Sequence, residues 1–134
     1  MATLESIEGI GPANAKKLRA AGVKSTDALL KSGGTKKGRK AIAAETGIAE
    51  RSVLEWVNRA DLMRVRGVGE EYSDLLEKAG VDTVVELAQR NPDSLHKKLL
   101  EVNAEKQLVR RPPNQGMVAR WVEHAKALPR VVSY

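Results

Sequence analysis

The chain of 134 residues contains no cysteine and no phenylalanine, and aromatic side chains make up only 3% of it. The absence of cysteine excludes a disulfide framework and thiolate metal sites, and it is in keeping with a reducing compartment. So few aromatic rings leave little material for stacking unpaired bases, which is how many single-strand binders hold their ligand. Hydrophobic residues nevertheless make up 42% of the chain, which is sufficient for a real core.

The chain also lacks long apolar runs. No segment approaches the length of a membrane span, and the amino terminus has no basic stretch leading into an apolar one. We therefore expect a cytoplasmic protein, of one domain or two very small ones. Sustained alternation of apolar and polar residues, which half-buried β-strands show, is absent as well. The sequence predicts an all-α fold.

A short segment near the amino terminus recurs in the second half of the chain. The first copy, Ile7–Gly11, reads Ile-Glu-Gly-Ile-Gly, and the second copy, Val65–Gly69, follows 58 residues later and reads Val-Arg-Gly-Val-Gly. We call these segments the first hairpin and the second hairpin. A Trp-Val pair also recurs, at residues 56–57 and 121–122. We therefore predict two tandem units, residues 1–62 and 63–134, with an insertion in the second near residues 107–115, and we expect them to pack as one compact helical domain.

Apolar spacing and stop signals predict about four short helices in each unit. The expected ranges are 12–21, 25–31, 35–46 and 50–63 in the first unit, and 70–79, 83–90, 92–102 and 114–128 in the second. Trp56 and Trp121 fall on an apolar face of the last helix of each unit, with a Val three residues earlier and an Ala four residues later. Such a position indicates a core side chain rather than a base-stacking one.

The glycines of the hairpins have a physical meaning. Two of them in three positions allow a sharp reversal and leave amide hydrogens uncovered by side chains. After the first hairpin, Pro12 suits the first position of a helix, so the turn ends at a helix N-terminus with partial positive charge. These features predict a phosphate site at Gly9, Ile10 and Gly11. A turn that only links two helices is the alternative for the same residues.

Both hairpins resemble the helix-hairpin-helix motif, whose backbone amides hold a nucleic-acid phosphate. The resemblance implies a tandem pair that grips the sugar-phosphate backbones on either side of the minor groove. It also implies that Lys16 and Lys17 reach neighbouring phosphates. The second hairpin departs from the pattern, because three acids, Glu70, Glu71 and Asp74, follow it and would repel a phosphate. We therefore expect the second hairpin to be mainly structural, through Gly67, Val68 and Gly69.

Basic side chains are concentrated directly after the first hairpin. Between Lys16 and Lys40 the chain has nine Lys or Arg residues and one acid, Asp27, so this segment carries +8 while the whole chain carries +6. A solvated helix face is the usual explanation of such a run. Its position after the Gly-Ile-Gly turn favours a binding surface. The residues that we predict to bind nucleic acid are Gly9, Ile10, Gly11, Lys16, Lys17, Lys36, Lys37, Arg39 and Lys40.

A second nucleic-acid motif overlaps the first unit. Ala43, Gly47 and Val53 have the spacing of a helix-turn-helix, which would place the helix from Glu50 in the major groove. That helix would present Arg51, Ser52, Glu55 and Arg59. Three positions make a weak pattern, and two acids on the presumed recognition face argue against it. A plain helical corner is the better explanation of these residues.

An enzyme is the less expected class. DNA glycosylases that share the hairpin place a catalytic Lys two residues after the second Gly, where this chain has Ala13 and Glu71. The two histidines, His96 and His124, are not at a metal-ligand spacing and are expected on the surface. We therefore expect no catalytic residues, no metal and no cofactor.

Over nearly its whole length the chain also resembles an uncharacterised bacterial domain of tandem helix-hairpin-helix type, the domain-of-unknown-function family 4332. The Lys-Gly-Arg-Lys run at residues 37–40 and the two Trp-Val helices carry this resemblance. It implies the fold and adds no activity. The expected function is sequence-independent binding of nucleic acid, DNA rather than RNA, with neither a membrane nor a small-molecule substrate as partner. The alternative is a protein-interaction or scaffold module with the same fold.

Overall fold

The computed structural model describes residues 3–134, so the first two residues of the predicted first unit lie outside the described range. Within that range the chain forms one 3₁₀ helix and eight α-helices, and no β-strand. The 3₁₀ helix is Leu4–Ser6, and the α-helices are α1 Pro12–Ala20, α2 Thr26–Gly33, α3 Lys36–Thr46, α4 Glu50–Leu62, α5 Glu70–Lys78, α6 Val84–Ala88, α7 Pro92–Lys106 and α8 Gln115–Ala127. The predicted all-α fold is confirmed.

Two compact units divide the chain. The first contains α1 to α3 and nearly all of α4, up to Asp61, and the second comprises Leu62–Arg130. Val131–Tyr134 belongs to the first unit, although the sequence placed these residues in the second copy. The reason is a backbone hydrogen bond of 2.8 Å in which the Ser133 N–H donates to the Gly34 carbonyl.

Side-chain caps fix where most helices begin. Ser25 Oγ accepts the Ala28 N–H at the start of α2, and Thr35 Oγ1 does the same for Gly38 at the start of α3. In the second unit Thr83, Asn91 and Asn114 cap α6, α7 and α8. These polar residues are why the sequence located the helix starts to within one residue.

Helix α7 runs four residues further than predicted. Val102 and Asn103 are buried, and Asn103 Oδ1 accepts the Val109 N–H at 2.9 Å. The helix ends only at Gln107, which has a φ of +51° and donates its N–H to the Asn103 carbonyl. A buried Asn that organises the following loop therefore extends the helix beyond the point where its apolar pattern stops.

Each unit has its own aliphatic core with one Trp. Trp56 is 4% exposed and Trp121 is 3% exposed, so the prediction that both are core residues is confirmed. In the first unit α3 packs against α1 and α2. In the second unit α8 packs against α6 and α7, and α7 packs against α5.

Arg39, which the sequence placed on the basic surface, is buried at 4% exposure. Its Nη1 donates to the carbonyl oxygens of Gly33 (2.9 Å) and Gly34 (3.1 Å), and its Nη2 donates to the Ser133 carbonyl (2.7 Å). The Tyr134 ring lies against the guanidinium, 6.0 Å from ring centroid to Cζ. Arg39 thus ties the end of α2 to the carboxyl-terminal segment and is not available to a phosphate.

The substitution Arg39→Met should lower the free energy of unfolding by about 2–3 kcal/mol, because two buried carbonyls and one partly buried carbonyl lose a charged donor. Lys40→Met is the matched control. Lys40 is exposed, so this variant should stay within about 0.5 kcal/mol of the wild type. Urea denaturation measures both values, and equal stability of the two variants would contradict the structural role of Arg39.

Asp82 lies in an acidic region at the start of α6. Its N–H donates to Glu86 Oε2 at 3.1 Å, and Thr83 Oγ1 accepts the Glu86 N–H at 3.4 Å. Burial raises the pKa of the Asp82 carboxyl above its ordinary value, and the carboxylates of Glu86 and Glu77 raise this pKa further. The ionised form of Asp82 is therefore less favourable in the folded protein than in the unfolded chain.

Asp82→Asn should raise the stability of the folded protein at pH 7, because it removes a carboxylate whose pKa increases on folding. When Asp82 is protonated in both states it costs no stability. The destabilisation develops as the pH rises from the pKa of the unfolded chain to the higher pKa of the folded state, and it is complete above the latter. The advantage of the variant should therefore shrink as the pH falls from 7 to about 4. Thermal denaturation of both proteins at the two pH values tests this, and a constant advantage would show that ionisation is not its cause.

Candidate nucleic-acid interface

The first hairpin is a tight turn between the 3₁₀ helix and α1. Gly9 has a φ of +95°, a conformation that a residue with a Cβ rarely adopts. The Ile10 N–H donates to the Ile7 carbonyl at 3.1 Å, and the Ala15 N–H donates to the Gly11 carbonyl at 2.9 Å. The turn therefore leads directly into α1.

Several backbone amides at this turn have no acceptor among residues 3–134. They belong to Gly9 and Gly11 in the hairpin and to Ala13 and Asn14 in the first turn of α1. Gly11 is the N-cap of α1, and no side chain caps the helix. Ile10 differs, because its amide is paired and its side chain is 4% exposed. Of the three hairpin amides that the sequence singled out, those of Gly9 and Gly11 are open to an anion.

Two side chains of helix α4 contact the first hairpin. A Cβ atom on Gly9 would lie 3.2 Å from Trp56 Nε1, so the indole touches the turn. Arg59 is 3% exposed, and its Nη1 donates to the Glu8 carbonyl at 2.9 Å. Arg59 therefore holds the hairpin on α4. The helix-turn-helix interpretation required Arg59 to lie on an exposed face, and its burial contradicts that requirement.

Five of the exposed lysines that follow the first hairpin lie on α1 and α3. Lys16 and Lys17 lie on α1, which packs against α3, and the other three lie on α3 itself. None of the five forms an ion pair or a side-chain hydrogen bond with the described part of the chain. Arg19 on α1 is different, because it forms an ion pair of 2.7 Å with Glu5 that lowers the pKa of the Glu5 carboxyl. We call these lysines the lysine set: Lys16, Lys17, Lys36, Lys37 and Lys40.

The second hairpin repeats the backbone of the first. Gly67 has a φ of +89°, and the Val68 N–H donates to the Val65 carbonyl at 3.0 Å. Val68 is 5% exposed, and Gly69 is the N-cap of α5 without a side-chain cap. The two hairpins therefore differ in their side chains and hardly at all in their backbones.

The acids that follow the second hairpin have basic neighbours. Glu70 and Glu71 share a groove of about 380 Å³ with Arg110 and Arg111. Both arginines come from the non-helical segment between α7 and α8, where the sequence predicted an insertion. Asp74 is 8% exposed, so its carboxylate is mostly withdrawn from the surface. The negative charge that we expected at this hairpin is therefore partly compensated.

The structure has a pocket beside the second hairpin that the sequence analysis did not predict. It has a volume of about 380 Å³ and is lined by Arg66, Gly67, Met117, Arg120, Trp121 and His124. Comparison of the two repeats could have indicated it, because two acids of the first unit are replaced by arginines in the second. Aligning the two hairpins and the two Trp-Val helices places Arg66 and Arg120 where the first unit has Glu8 and Glu55.

The histidines are half-buried rather than fully exposed. His124 Nδ1 accepts the Arg66 N–H at 2.9 Å, and His96 Nε2 lies 3.0 Å from the Pro113 carbonyl oxygen. Across residues 3–134 there is no group of three or more His, Asp or Glu side chains that could hold a metal ion. None of the described helices combines the length and the apolar character needed to cross a membrane.

Comparison with known proteins gives a family and no function. The family model described as "Domain of unknown function (DUF4332)" matches residues 8–128, which include the second hairpin, the first hairpin except Ile7, and α1 to α8. No curated protein and no solved structure matches the chain. Because the match covers most of the sequence, the chain belongs to the DUF4332 family.

Proposed function

We propose that this protein binds nucleic acid through backbone phosphates, without reading the base sequence, at the first hairpin and the lysine set. The observation that carries the proposal is the pair of open amides at Gly9 and Gly11, which stand at an uncapped helix N-terminus. In this proposal the hairpins act as helix-hairpin-helix motifs, and the protein works in the cytoplasm as a binding module rather than an enzyme.

The physical basis is the complementarity between these groups and a phosphate chain. Open amides at a helix N-terminus bind one phosphate by hydrogen bonds and by the helix dipole. Lysines that have no protein partner can neutralise neighbouring phosphates and release their counterions, which gives salt-dependent affinity without base specificity. Duplex DNA is the proposed ligand, since it presents phosphates at regular spacing along two strands.

The alternative of a protein-docking module lacks a comparable observation. Docking surfaces on small domains usually include a contiguous apolar patch. Among residues 3–134 the large hydrophobic side chains that are exposed are Leu100, at 39%, and Tyr134, at 63%. The Tyr134 ring lies against the Arg39 guanidinium, while most of this side chain remains exposed.

Gly11→Asp should weaken binding to a duplex of arbitrary sequence by about tenfold or more, because it places a carboxylate where the phosphate would lie. A Cβ on Gly11 meets no atom within 4 Å, and Asp is a favourable N-cap residue, so the variant should fold. Fluorescence anisotropy at low salt measures the affinity, and circular dichroism checks the fold.

Gly69→Asp is the matched control for this variant. Gly69 is also an N-cap, a Cβ on it would meet no atom within 4 Å, and the change in charge is the same. It should bind almost like the wild type. If the two variants lose affinity equally, the first hairpin is not the specific phosphate site, and if neither loses affinity the proposed site is wrong.

Reversing three lysines, Lys36→Glu, Lys37→Glu and Lys40→Glu, should flatten the dependence of log affinity on log salt by about 0.9 for each phosphate that is no longer neutralised. The control is a triple reversal on α7 of equal charge, at Lys97, Lys98 and Lys106, which are also exposed. Titrations at four salt concentrations give both slopes. Equal slopes in the two triple variants would show that only net charge matters and would exclude a defined surface on α3.

A further inference from the structure

The pocket beside the second hairpin is lined by several hydrogen-bond donors and by no acidic side chain. Arg66 and Arg120 contribute two exposed guanidinium groups, and neither side chain has an ion-pair partner among residues 3–134. No Asp or Glu lines the pocket. The local field therefore favours an anion, whereas the neighbouring groove that contains Glu70 and Glu71 has mixed charge.

His124 adds a donor of defined tautomer. Its Nδ1 lies 2.9 Å from the Arg66 backbone nitrogen, and a backbone N–H can only donate. Nδ1 must therefore be the acceptor, and in the neutral ring the proton lies on Nε2. The same hydrogen bond fixes the ring beside Arg66, so a hydrogen-bond donor is held at the pocket wall without a charge being required.

Trp121 supplies the floor of the pocket and a further donor. The residue is 3% exposed, and its Nε1 lies under Gly67, 3.3 Å from the position of a Cβ on that residue. Its N–H has no acceptor within the described part of the chain. This nitrogen is not among the buried atoms that lack a partner, so it is accessible to a ligand in the pocket that Trp121 lines. Met117 completes the apolar part of the lining.

The first unit provides an internal comparison. Its equivalent of this place also has a Trp under a glycine, but Glu8 and Glu55 stand where the second unit has Arg66 and Arg120. Its equivalent of His124 is Arg59, which is buried and paired with Glu55 at 3.8 Å. The same backbone therefore carries acids in one unit and bases in the other. Packing alone does not require the two arginines, since the first unit builds the same turn without them.

We propose that this pocket binds a phosphate monoester attached to a small, partly apolar group, of which a nucleoside monophosphate is the simplest example. Two guanidinium groups match the charge of about −1.5 to −2 on a phosphate monoester better than the single charge of a carboxylate or a phosphodiester. The volume of about 380 Å³ lies at the small end of the range for ligand pockets. The Trp121 and Met117 side chains suit the organic part of the ligand.

The same chemistry can come from a free nucleotide or from the phosphorylated end of a nucleic-acid strand. The site does not use the first hairpin or the lysine set, so it stands whether or not the proposed function is correct. It also assigns a binding role to residues around the second hairpin, which the sequence predicts to be mainly structural.

The test is isothermal titration calorimetry of the full chain with adenosine monophosphate, with adenosine as the ligand that lacks the phosphate. The variant is Arg66→Glu with Arg120→Glu, which installs the residues that the first unit has at these places and should therefore fold. We expect binding of the monophosphate to the wild type, no binding of adenosine, and a loss of affinity of about tenfold or more in the variant.

The matched control is Lys97→Glu with Lys98→Glu, an equal change of charge at two exposed positions on α7 that do not line the pocket. It should retain the affinity of the wild type. An oligonucleotide with a 5′-phosphate, compared with its 5′-hydroxyl form, distinguishes the two sources. A preference for the phosphorylated end that disappears in the arginine variant assigns the site to strand ends, and binding of the monophosphate alone assigns it to free nucleotides.

Three results would overturn the proposal. They are the absence of monophosphate binding to the wild type at millimolar concentration, equal affinity in the arginine variant and the wild type, or an equal loss in the α7 control. The Gly11→Asp variant separates this site from the first hairpin, because it should leave monophosphate binding unchanged.

Discussion

In each unit a Trp indole nitrogen lies under the glycine that turns the hairpin, and the rest of the unit depends on this contact. A Cβ on Gly9 or Gly67 would come within 3.2 or 3.3 Å of the indole Nε1, and both glycines also have positive φ. Glycine is therefore favoured at both positions, by the positive φ and by the close approach of the indole. The contact fixes the hairpin on the last helix of the unit, and because the indole occupies its inner side, the two glycines stay exposed on its outer side.

A backbone that is set by glycine and tryptophan leaves the neighbouring side chains free to differ. The residue before the positive-φ glycine is Glu8 in one unit and Arg66 in the other, and both are held through the backbone. Arg59 donates to the Glu8 carbonyl, whereas His124 accepts the Arg66 N–H. The side chain from the last helix is the donor in the first unit and the acceptor in the second, and both hydrogen bonds hold the hairpin on that helix. The charge beside each hairpin can therefore change without loss of the turn, which is how a duplicated fold can acquire two different ligand preferences.

The sequence predicted those parts of the structure that local chemistry decides. Helix starts at Ser25, Thr35 and Thr83 followed from side chains that cap the backbone, and the core positions of the two tryptophans followed from helical spacing. The sequence did not predict which arginines are buried. A count of charges treats Arg39 as a surface cation, but its guanidinium is consumed by three carbonyls, one of which is 94 residues away. Contacts of that range depend on tertiary packing and leave no local pattern.

Burial thus separates the basic residues into groups with different capacities. Arg39 and Arg59 are buried and serve the fold, while Arg19 is paired with Glu5, so none of these three adds a free charge to the surface. The lysine set remains, with flexible stems and compact charges that suit a polymer presenting many equivalent phosphates. Arg66 and Arg120 instead line one pocket, where we propose that their planar guanidinium groups bind a single doubly charged phosphate. The net charge of +6 therefore does not predict what the lysine set or the arginine pocket can bind. A basic side chain is available to a ligand only where it is not already paired with other groups of the folded protein.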